Sequence, residues 1–180
     1  MIDKSEAMLV RQVANENHLA FQQLLDTHLP SINRYVVRMM GNAANAEDIT
    51  QEVFFRLWSR ADSFNPEASK LSTWLHNIAH NLCIDYFRKN SRFTHDSIEE
   101  TVGGEEPDLE LTSETQQQDV KTALMALPER QRSAIIMCHY QGVANKDAAN
   151  IMDTTVDALE SLLSRGRLKL RRILTENGES

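Results

Sequence analysis

The segment FTHDSIEETVGGEEPDLELTSET at 93–115 constrains the fold most, because it lacks the apolar spacing of a helix or strand. It combines a glycine pair, a proline and many carboxylates. Its apolar area is too small to offset the entropy lost on ordering it. On either side, apolar residues recur at helical spacing. We therefore predict an all-α chain with a helical domain at 1–92, a flexible acidic linker at 93–115 and a second helical domain at 116–180.

The net charge of −7 originates in the middle of the chain. Residues 1–92 carry ten Lys/Arg and ten Asp/Glu, whereas 93–120 carry nine acidic residues and no Lys or Arg. Residues 121–180 carry nine basic and seven acidic residues. The acidic average therefore does not argue against nucleic-acid binding by either domain.

Composition predicts a mostly helical protein of a reducing compartment, without a membrane span. It has only six Gly and four Pro, as expected for a mostly helical chain. Two cysteines cannot build a disulfide framework, and the N-terminus carries no secretory signal. No apolar run reaches the roughly 18–20 residues that span a bilayer. We expect a cytoplasmic protein without membrane insertion.

Helical periodicity and stop signals predict the elements of the first domain. Pro30 suits a first helical turn, Gly41 a C-terminal stop and Asn45 an N-cap. Pro66 favours a loop at 62–70. The predicted helices lie near 5–15, 18–28, 30–41, 46–60 and 71–90.

The second domain follows the same reasoning. Pro128 suits the first position of a helix that runs to about Tyr140, and Gly142 ends it. A turn at Asp153–Thr155 separates a short helix from a long one. The predicted helices lie near 114–126, 128–140, 145–152 and 155–174.

The helix at 46–60 has two distinct faces at 100° per residue. Its buried stripe is predicted to be Ile49, Val53, Phe54 and Leu57. Its opposite face carries Asp48, Gln51, Glu52 and Phe55. A solvated face would explain the acids near the helix N-terminus, and Asn45 with Asp48 resembles a cap with an acidic partner. It would not explain Phe55, because an aromatic ringed by polar groups is typical of an interface anchor.

The helix at 71–90 also has two lines of side chains. Its predicted core stripe is Leu75, Ile78, Ala79, Leu82 and Tyr86. A second line comprises Asn77, Asn81, Ile84 and Arg88, with Trp74 beside its N-terminal end. An Asn amide offers a donor and an acceptor to base edges. The alternative is an ordinary polar helix surface.

His76, His80 and Cys83 share one face at i, i+4 and i+7, a spacing that could hold a metal. No fourth ligand is evident nearby, and Phe87 continues the same line. Contacts between helices are far commoner for such residues, so we expect neither a metal nor another cofactor. A metalloenzyme built on these residues and His139 would lack convergent acids.

A short helix, a tight turn and a longer helix form the layout of a helix-turn-helix unit. The predicted stripe of the final helix is Val156, Leu159, Leu163, Leu170 and Ile173, and Gly166 permits close packing. The outward residues are Asp157, Ser161, Ser164, Arg165 and Leu168. A plain helical hairpin has the same pattern. The basic end RGRLKLRR at 165–172 favours DNA, because its five cations can bind phosphates.

Three motifs now stand in order: AEDITQEVFFRLW (46–58), FNPEASKLSTWLHNIAHNLCIDYFRKNSR (64–92) and LPERQRSAIIMCHYQGVANKDAANIM (127–152) with its following helix. Together they resemble the extracytoplasmic-function (ECF) group of the bacterial sigma-70 family. The resemblance runs from about residue 18 to 174, apart from the linker. It implies sigma region 2 in the first domain and sigma region 4 in the second. It implies no enzymatic activity.

In that family, region 2 docks on core RNA polymerase and reads and opens the −10 element. The resemblance places docking on the β′ clamp at Asp48, Gln51, Glu52 and Phe55. It places −10 contacts on the 71–90 helix and the preceding loop. The residues concerned are Phe64, Asn65, Lys70, Ser72, Thr73, Trp74, Asn77, Asn81, Arg88 and Lys89. The linker is expected to thread into the polymerase.

Region 4 reads the −35 element and contacts the β flap in this family. Here the sequence departs from the pattern, because Glu160-Ser161-Leu162 stands where a Lys-Ser-Arg-like run is common. Affinity is then expected to depend on the basic end. The predicted −35 residues are Lys146, Ser161, Ser164, Arg165, Arg167, Lys169 and Arg171.

The sequence is thus interpreted as an RNA polymerase sigma factor that directs promoter-specific initiation by recognising the −35 and −10 elements and stabilising the melted −10 strand. Its expected partners are core polymerase, promoter DNA and an anti-sigma factor. The alternative is a helix-turn-helix transcription regulator that acts without core polymerase. That protein would usually need a dimerisation surface, which the sequence does not suggest.

Overall fold

The computed structural model describes residues 4–93 and 114–178, and all structural statements below concern those residues. Eight α-helices carry the fold. They are α1 (Lys4–Ala14), α2 (His18–Met40), α3 (Ala43–Ser59), α4 (Leu71–Phe93), α5 (Glu114–Met125), α6 (Glu129–Ile135), α7 (Asn145–Ile151) and α8 (Val156–Gly178). A 3₁₀ turn at Ala61–Ser63 follows α3, and a π-helical turn at Ile136–Tyr140 follows α6.

The all-α class is confirmed, since the described residues form helices, turns and loops and no strand. The chain divides into two compact units, one formed mostly by α1–α4 and the other mostly by α5–α8. Most of the predicted linker lies outside the described residues. Domain boundaries at 92 and 116 therefore stay predictions. Along 4–93 and 114–178, no helix combines the length and apolar character needed to cross a bilayer.

One continuous helix, α2, replaces the two helices predicted around Pro30. The structure places Pro30 inside the helix and exposed. Leu24, Ile32 and Tyr35 lie on either side of it and are buried. Burying one uninterrupted apolar stripe outweighs the backbone hydrogen bond that proline cannot make. Asn17 begins this helix, its Oδ1 accepting from the backbone N–H groups of Leu19 and Ala20 (3.0 and 3.1 Å).

The start of α3 also differs from the prediction. The helix begins at Ala43, so Asn45 and Asp48 lie within it and do not form the predicted cap. The buried stripe is as predicted, with Ile49, Val53, Phe54 and Leu57 all at most 8% exposed. Gly41 has φ of +67°, a left-handed conformation that glycine adopts readily and that agrees with its predicted role as a stop.

The core face of α4 is rotated from the predicted one. Leu75 and Ala79 are buried as expected, but Ile78, Leu82 and Tyr86 are only half-buried. His76, His80 and Cys83 are buried instead. His76 Nδ1 donates to the Ser72 carbonyl (2.7 Å), and His80 Nδ1 lies 3.1 Å from Tyr35 Oη. These contacts give the Nδ1 atom of each ring a polar partner within the buried core.

In the second unit, α8 packs against α5, α6 and α7. Pro128 is the N-cap residue of α6, which begins at Glu129, whereas the sequence predicted Pro128 as the first helical residue. The π-helical turn continues α6 to Tyr140, where the Gln141 N–H donates to the Ile136 carbonyl (3.0 Å). Gly142 follows with φ of +64° and ends the helix as predicted.

A tight turn joins α7 to α8. Asp153 adopts a left-handed φ of 49°, and the Thr154 N–H donates to the Ala149 carbonyl (2.9 Å), which closes α7 in a Schellman motif. Thr155 then caps α8, its Oγ1 accepting from the Ala158 N–H (3.1 Å). The predicted short helix, turn and long helix are therefore present.

The buried face of α8 is shorter than predicted. Leu159 and Leu163 are buried, while Leu170 and Ile173 are half-buried. Val156, predicted to be buried, is 38% exposed. It is the first residue of α8. Gly166 is buried, and a Cβ there would lie 2.7 Å from Ile135 Cδ1. This confirms that glycine allows close packing between α6 and α8.

Candidate functional site

The face of α3 opposite its core stripe is polar around one aromatic ring. Asp48 and Gln51 are exposed, Glu52 is half-buried, and Phe55 is 62% exposed. Glu52 Oε1 accepts from Arg56 Nε (2.8 Å) within the helix. Exposing so much of a phenyl ring leaves apolar area in water that this unit does not cover. The sequence prediction of the residues on this face is correct.

An apolar groove of about 460 Å³ runs between α2 and α3 beside Phe55. Its lining residues are Phe21, Leu25, Leu29, Thr50, Gln51, Phe54, Phe55 and Trp58. Gln51 and Phe55 therefore belong both to the polar face and to the wall of the groove. Grooves of this kind accept the apolar side of a partner helix or a large side chain.

Trp58 is one of the residues that line this groove. Its ring stacks on His18 (centroids 4.7 Å apart, planes at 17°) and meets Phe21 edge to face (5.3 Å, 76°). The residues from α2 were not among the predicted docking residues. No pattern within the 46–60 motif could supply them, because they lie about 25 residues away in sequence. Leu29 is 39% exposed, which only the structure shows.

The candidate −10 surface begins in the loop before α4. Phe64 meets Trp74 edge to face, with ring centroids 5.7 Å apart, and both are half-buried. Asn65 Oδ1 accepts from the Glu67 N–H (3.0 Å), which orders the turn. Lys70 is exposed, and its carbonyl accepts from the Trp74 N–H (3.1 Å) at the start of the helix.

Along α4, the amides of Asn77 and Asn81 interact directly, with Asn81 Nδ2 donating to Asn77 Oδ1 (2.7 Å). Asn81 is exposed and Asn77 half-buried, as are Ser72 and Thr73. Each amide keeps donors or acceptors beyond this one bond. The structure thus brings the predicted amides onto the accessible side of the helix.

Arg88 and Lys89 are exposed near the end of α4. Arg88 Nη1 lies 3.4 Å from Asp85 Oδ1, but both side chains are more than half exposed. Such a pair contributes little and is readily exchanged for a phosphate.

The candidate −35 surface lies on α7 and α8. Lys146, Ser161, Ser164, Arg165, Arg167 and Arg171 are exposed, and Lys169 is half-buried. Ser161 Oγ donates to the Asp157 carbonyl (3.0 Å), and Arg165 Nε donates to the Ser161 carbonyl (3.2 Å). These two side chains are therefore drawn toward the helix backbone.

Arg167 has a contact that the sequence did not suggest. Its Nη1 lies 3.2 Å from Nε2 of His139 on the π-helical turn. Burial raises the pKa of the neighbouring Cys138 thiol above its ordinary value, and the Arg167 guanidinium partly opposes that rise.

His76, His80 and Cys83 give no candidate metal centre. Across the described parts of the chain, no group of three or more His, Cys, Asp or Glu is arranged to hold a metal ion.

Comparison with known proteins matches both units. The sigma-70 region 2 family matches residues 24–93, and the sigma-70 region 4 family matches residues 117–170. The chain is 31% identical over 150 residues to the ECF RNA polymerase sigma factor EcfG of Rhodopseudomonas palustris (strain TIE-1), covering 83% of this chain and 82% of EcfG. The chain belongs to the ECF group of the sigma-70 family.

Other similarities agree. SigW of Bacillus subtilis (strain 168) is 28% identical over 181 residues, covering 93% of this chain and 95% of SigW. The chain covers only 63% of the length of SigE of Mycolicibacterium smegmatis (strain ATCC 700084 / mc(2)155), at 28% identity and 88% of its own length. Proteins of this group are regulators of transcription initiation, not enzymes as a class.

Two solved structures share the fold. Sigma factor RpoE in complex with the anti-sigma factor NepR from Bartonella quintana superposes with a TM-score of 0.75, at 30% identity over 86% of this chain and 96% of that one. CnrH in complex with the cytosolic domain of CnrY gives 0.71 at 24% identity, over 96% and 99%. At that identity, CnrH supports the fold alone.

Proposed function

We propose that this sigma factor holds core RNA polymerase through the outward face of α3 and the adjoining groove. Asp48, Gln51, Glu52 and Phe55 form the contact, with the β′ clamp as the partner. The observation that carries this proposal is Phe55, 62% exposed on a polar face beside an apolar groove. The exposed ring next to the groove provides an apolar anchor, and the polar residues around it orient the partner.

The test of docking is replacement of Asp48, Gln51 and Phe55 by alanine together, followed by pull-down of core polymerase. We expect core binding to be lost while the circular dichroism spectrum stays helical, because none of the three is buried. The matched control is Met8→Ala, which removes an apolar side chain of similar exposure (58%) from α1. Loss of helicity in the triple variant, or equal loss of binding in the control, would contradict the proposal.

We infer further that α4 and its preceding loop bind the melted −10 strand. The residues are Phe64, Asn65, Lys70, Ser72, Thr73, Trp74, Asn77, Asn81, Arg88 and Lys89. The adjacent Phe64 and Trp74 rings offer a surface for base stacking, the two Asn amides offer hydrogen bonds to base edges, and the cations near the helix end suit phosphates.

The helix-turn-helix unit is proposed to read the −35 element through Lys146, Ser161, Ser164, Arg165, Arg167, Lys169 and Arg171. The exposed cations of α8 lie toward its C-terminal half, where they can anchor phosphates. Binding through two linked units raises the effective concentration of each at its own site. The second unit is also proposed to contact the β flap.

An anti-sigma factor is a further proposed partner, because RpoE of Bartonella quintana, 30% identical to this chain, is seen bound to one. The sigma factor would act in the cytoplasm, where it meets polymerase.

A helix-turn-helix regulator that acts without core polymerase is the rival function. Transcription in vitro with purified core polymerase separates the two. A sigma factor directs initiation from specific promoters only with core present, whereas the rival would bind an operator alone and fail to support initiation.

A further inference from the structure

The exposed surface of α8 divides into two zones of opposite character. From Val156 to Ser164 the helix carries two carboxylates, Asp157 and Glu160, and no Lys or Arg. From Arg165 to Arg172 it carries five cations. Phosphate contacts position a protein on DNA, and base contacts specify the sequence. In a helix-turn-helix unit, the N-terminal residues of the second helix contact the base edges. The acidic zone is therefore the reading end.

The two carboxylates have different explanations. Asp157 is the second residue of α8, directly after the Thr155 cap, where a negative charge is stabilised by the helix dipole. Glu160 is the fifth residue, beyond the first turn. The residues three and four positions away are Val156, Asp157, Leu163 and Ser164, none of them a cation.

Glu160 is also exposed, and no ion pair to it is found within 4–93 and 114–178. Helix start and helix pairing therefore do not account for it. On a DNA-reading surface, a carboxylate repels phosphates and weakens binding to every sequence. Its presence is favourable only where it meets a hydrogen-bond donor.

The two carboxylates are the charged acceptors of this zone, and of these only Glu160 is left without an explanation from the helix start. The Ser161 hydroxyl donates to the Asp157 carbonyl within the helix, and Arg165 is drawn to the Ser161 carbonyl. Ser164 lies one turn beyond Glu160 on the same side of the helix and is exposed. Glu160 and Ser164 thus lie on adjacent turns of the same exposed side of α8.

We propose that Glu160 is a specificity-determining residue of the −35 contact, with its carboxylate accepting a hydrogen bond from the N4 amino group of a cytosine. In the major groove, cytosine presents that donor without an acceptor beside it. Adenine presents N6 next to the N7 acceptor, which would repel the carboxylate. The proposal rests on the proposed −35 role of α8 and adds the base that one residue reads.

The test uses the full chain with core polymerase and a promoter library randomised across the −35 element, with transcripts counted by sequencing. We expect the wild type to prefer cytosine at one position. That preference for cytosine over the other bases should be roughly 5- to 100-fold. Glu160→Gln should remove it. It should shift it toward adenine, because a glutamine amide matches adenine N6 and N7. Preferences at other positions should stay unchanged.

Glu176→Gln is the matched control, since it removes the same charge from α8 four residues beyond the basic zone and should leave all preferences unchanged. Two results would overturn the proposal: an unchanged cytosine preference in Glu160→Gln, or a uniform rise in transcription from all sequences, which would make Glu160 purely repulsive. Failure of the wild type to initiate from any library member would overturn the sigma function itself. The two failures are thereby distinguishable.

Discussion

Single side chains on the surface of this protein show which groups are available to partners and which are engaged within the fold. Phe55 exposes its ring although its neighbour Phe54 is buried. Arg167, by contrast, contacts His139 and influences the Cys138 thiol. A residue chosen for DNA contact by its charge therefore also has an intramolecular role. Only Nη1 of Arg167 is engaged by His139, so the remaining guanidinium donors stay available to a phosphate.

Cys138 provides a pH-dependent test of that environment. Burial raises the pKa of its thiol above the ordinary value of a cysteine, and Arg167 lowers it in part. Because the thiolate is the nucleophile, alkylation by iodoacetamide should be slower than for a free cysteine at the same pH, and its rise with pH should occur at higher pH than for a free cysteine. Arg167→Gln removes the opposing charge, so the pKa should rise further and alkylation at a given pH should slow again. Mass spectrometry gives the rates.

Arg171→Gln is the control for this experiment, since it removes an equal charge from the same helix. Cys83 is fully buried and should stay unmodified while the protein is folded. Equal rates in the two arginine variants, or rapid alkylation of Cys138 at pH 7, would contradict the assignment.

Pairs of helices set the geometry of both proposed surfaces. The α2–α3 pair forms the apolar groove, and α6 packs closely on α8 at Gly166. Glycine in a helix costs about 1 kcal/mol relative to alanine. At this position the cost is offset by packing, because any Cβ would meet Ile135.

Gly166→Ala should accordingly destabilise the second unit by about 1 kcal/mol, since overpacking costs about 1–3 kcal/mol and the helix gains about 1. Ile135→Val removes the Cδ1 atom that lies 2.7 Å from the added carbon. Alone it should cost about 0.5–1.5 kcal/mol. Combined with Gly166→Ala it should restore stability, so the two changes are non-additive in urea unfolding. Additive effects would show that the contact does not limit packing.

The whole molecule consists of two units, each with its own buried core. In the proposed function, each unit binds one of the two promoter elements. The proposed function therefore depends on covalent linkage as much as on the surfaces, because linkage makes the second binding event intramolecular.

Separate halves, 1–103 and 104–180, test this dependence. Each should unfold cooperatively, since each retains most of the residues of one unit. Their equimolar mixture should need a concentration on the order of 10²–10⁴ times higher than the intact chain for equal promoter-specific transcription. An intact chain with residues 94–113 replaced by an equally long Gly/Ser segment is the control for tethering. If the mixture matched the intact chain, linkage would have no role.

Much of this protein could be predicted from local sequence. Apolar spacing at 3.6 residues per turn gave the helical class and the buried stripe of α3, and glycine placed the stops at Gly41 and Gly142. The exposure of Phe55 and of Arg165 also followed from periodicity. These features depend on residues within one or two turns of each other, so they can be predicted from the local sequence.

The tertiary structure decided what depends on distant contacts. In the folded protein, α2 continues through Pro30, and His76, His80 and Cys83 of α4 are buried. Val156 is exposed, and Arg167 contacts His139. The tertiary structure also supplied the α2 wall of the groove. A helix can bury either of two neighbouring faces, and the helices packed against it select one. Local periodicity therefore determined the elements of this protein, and packing between them determined the surfaces they present.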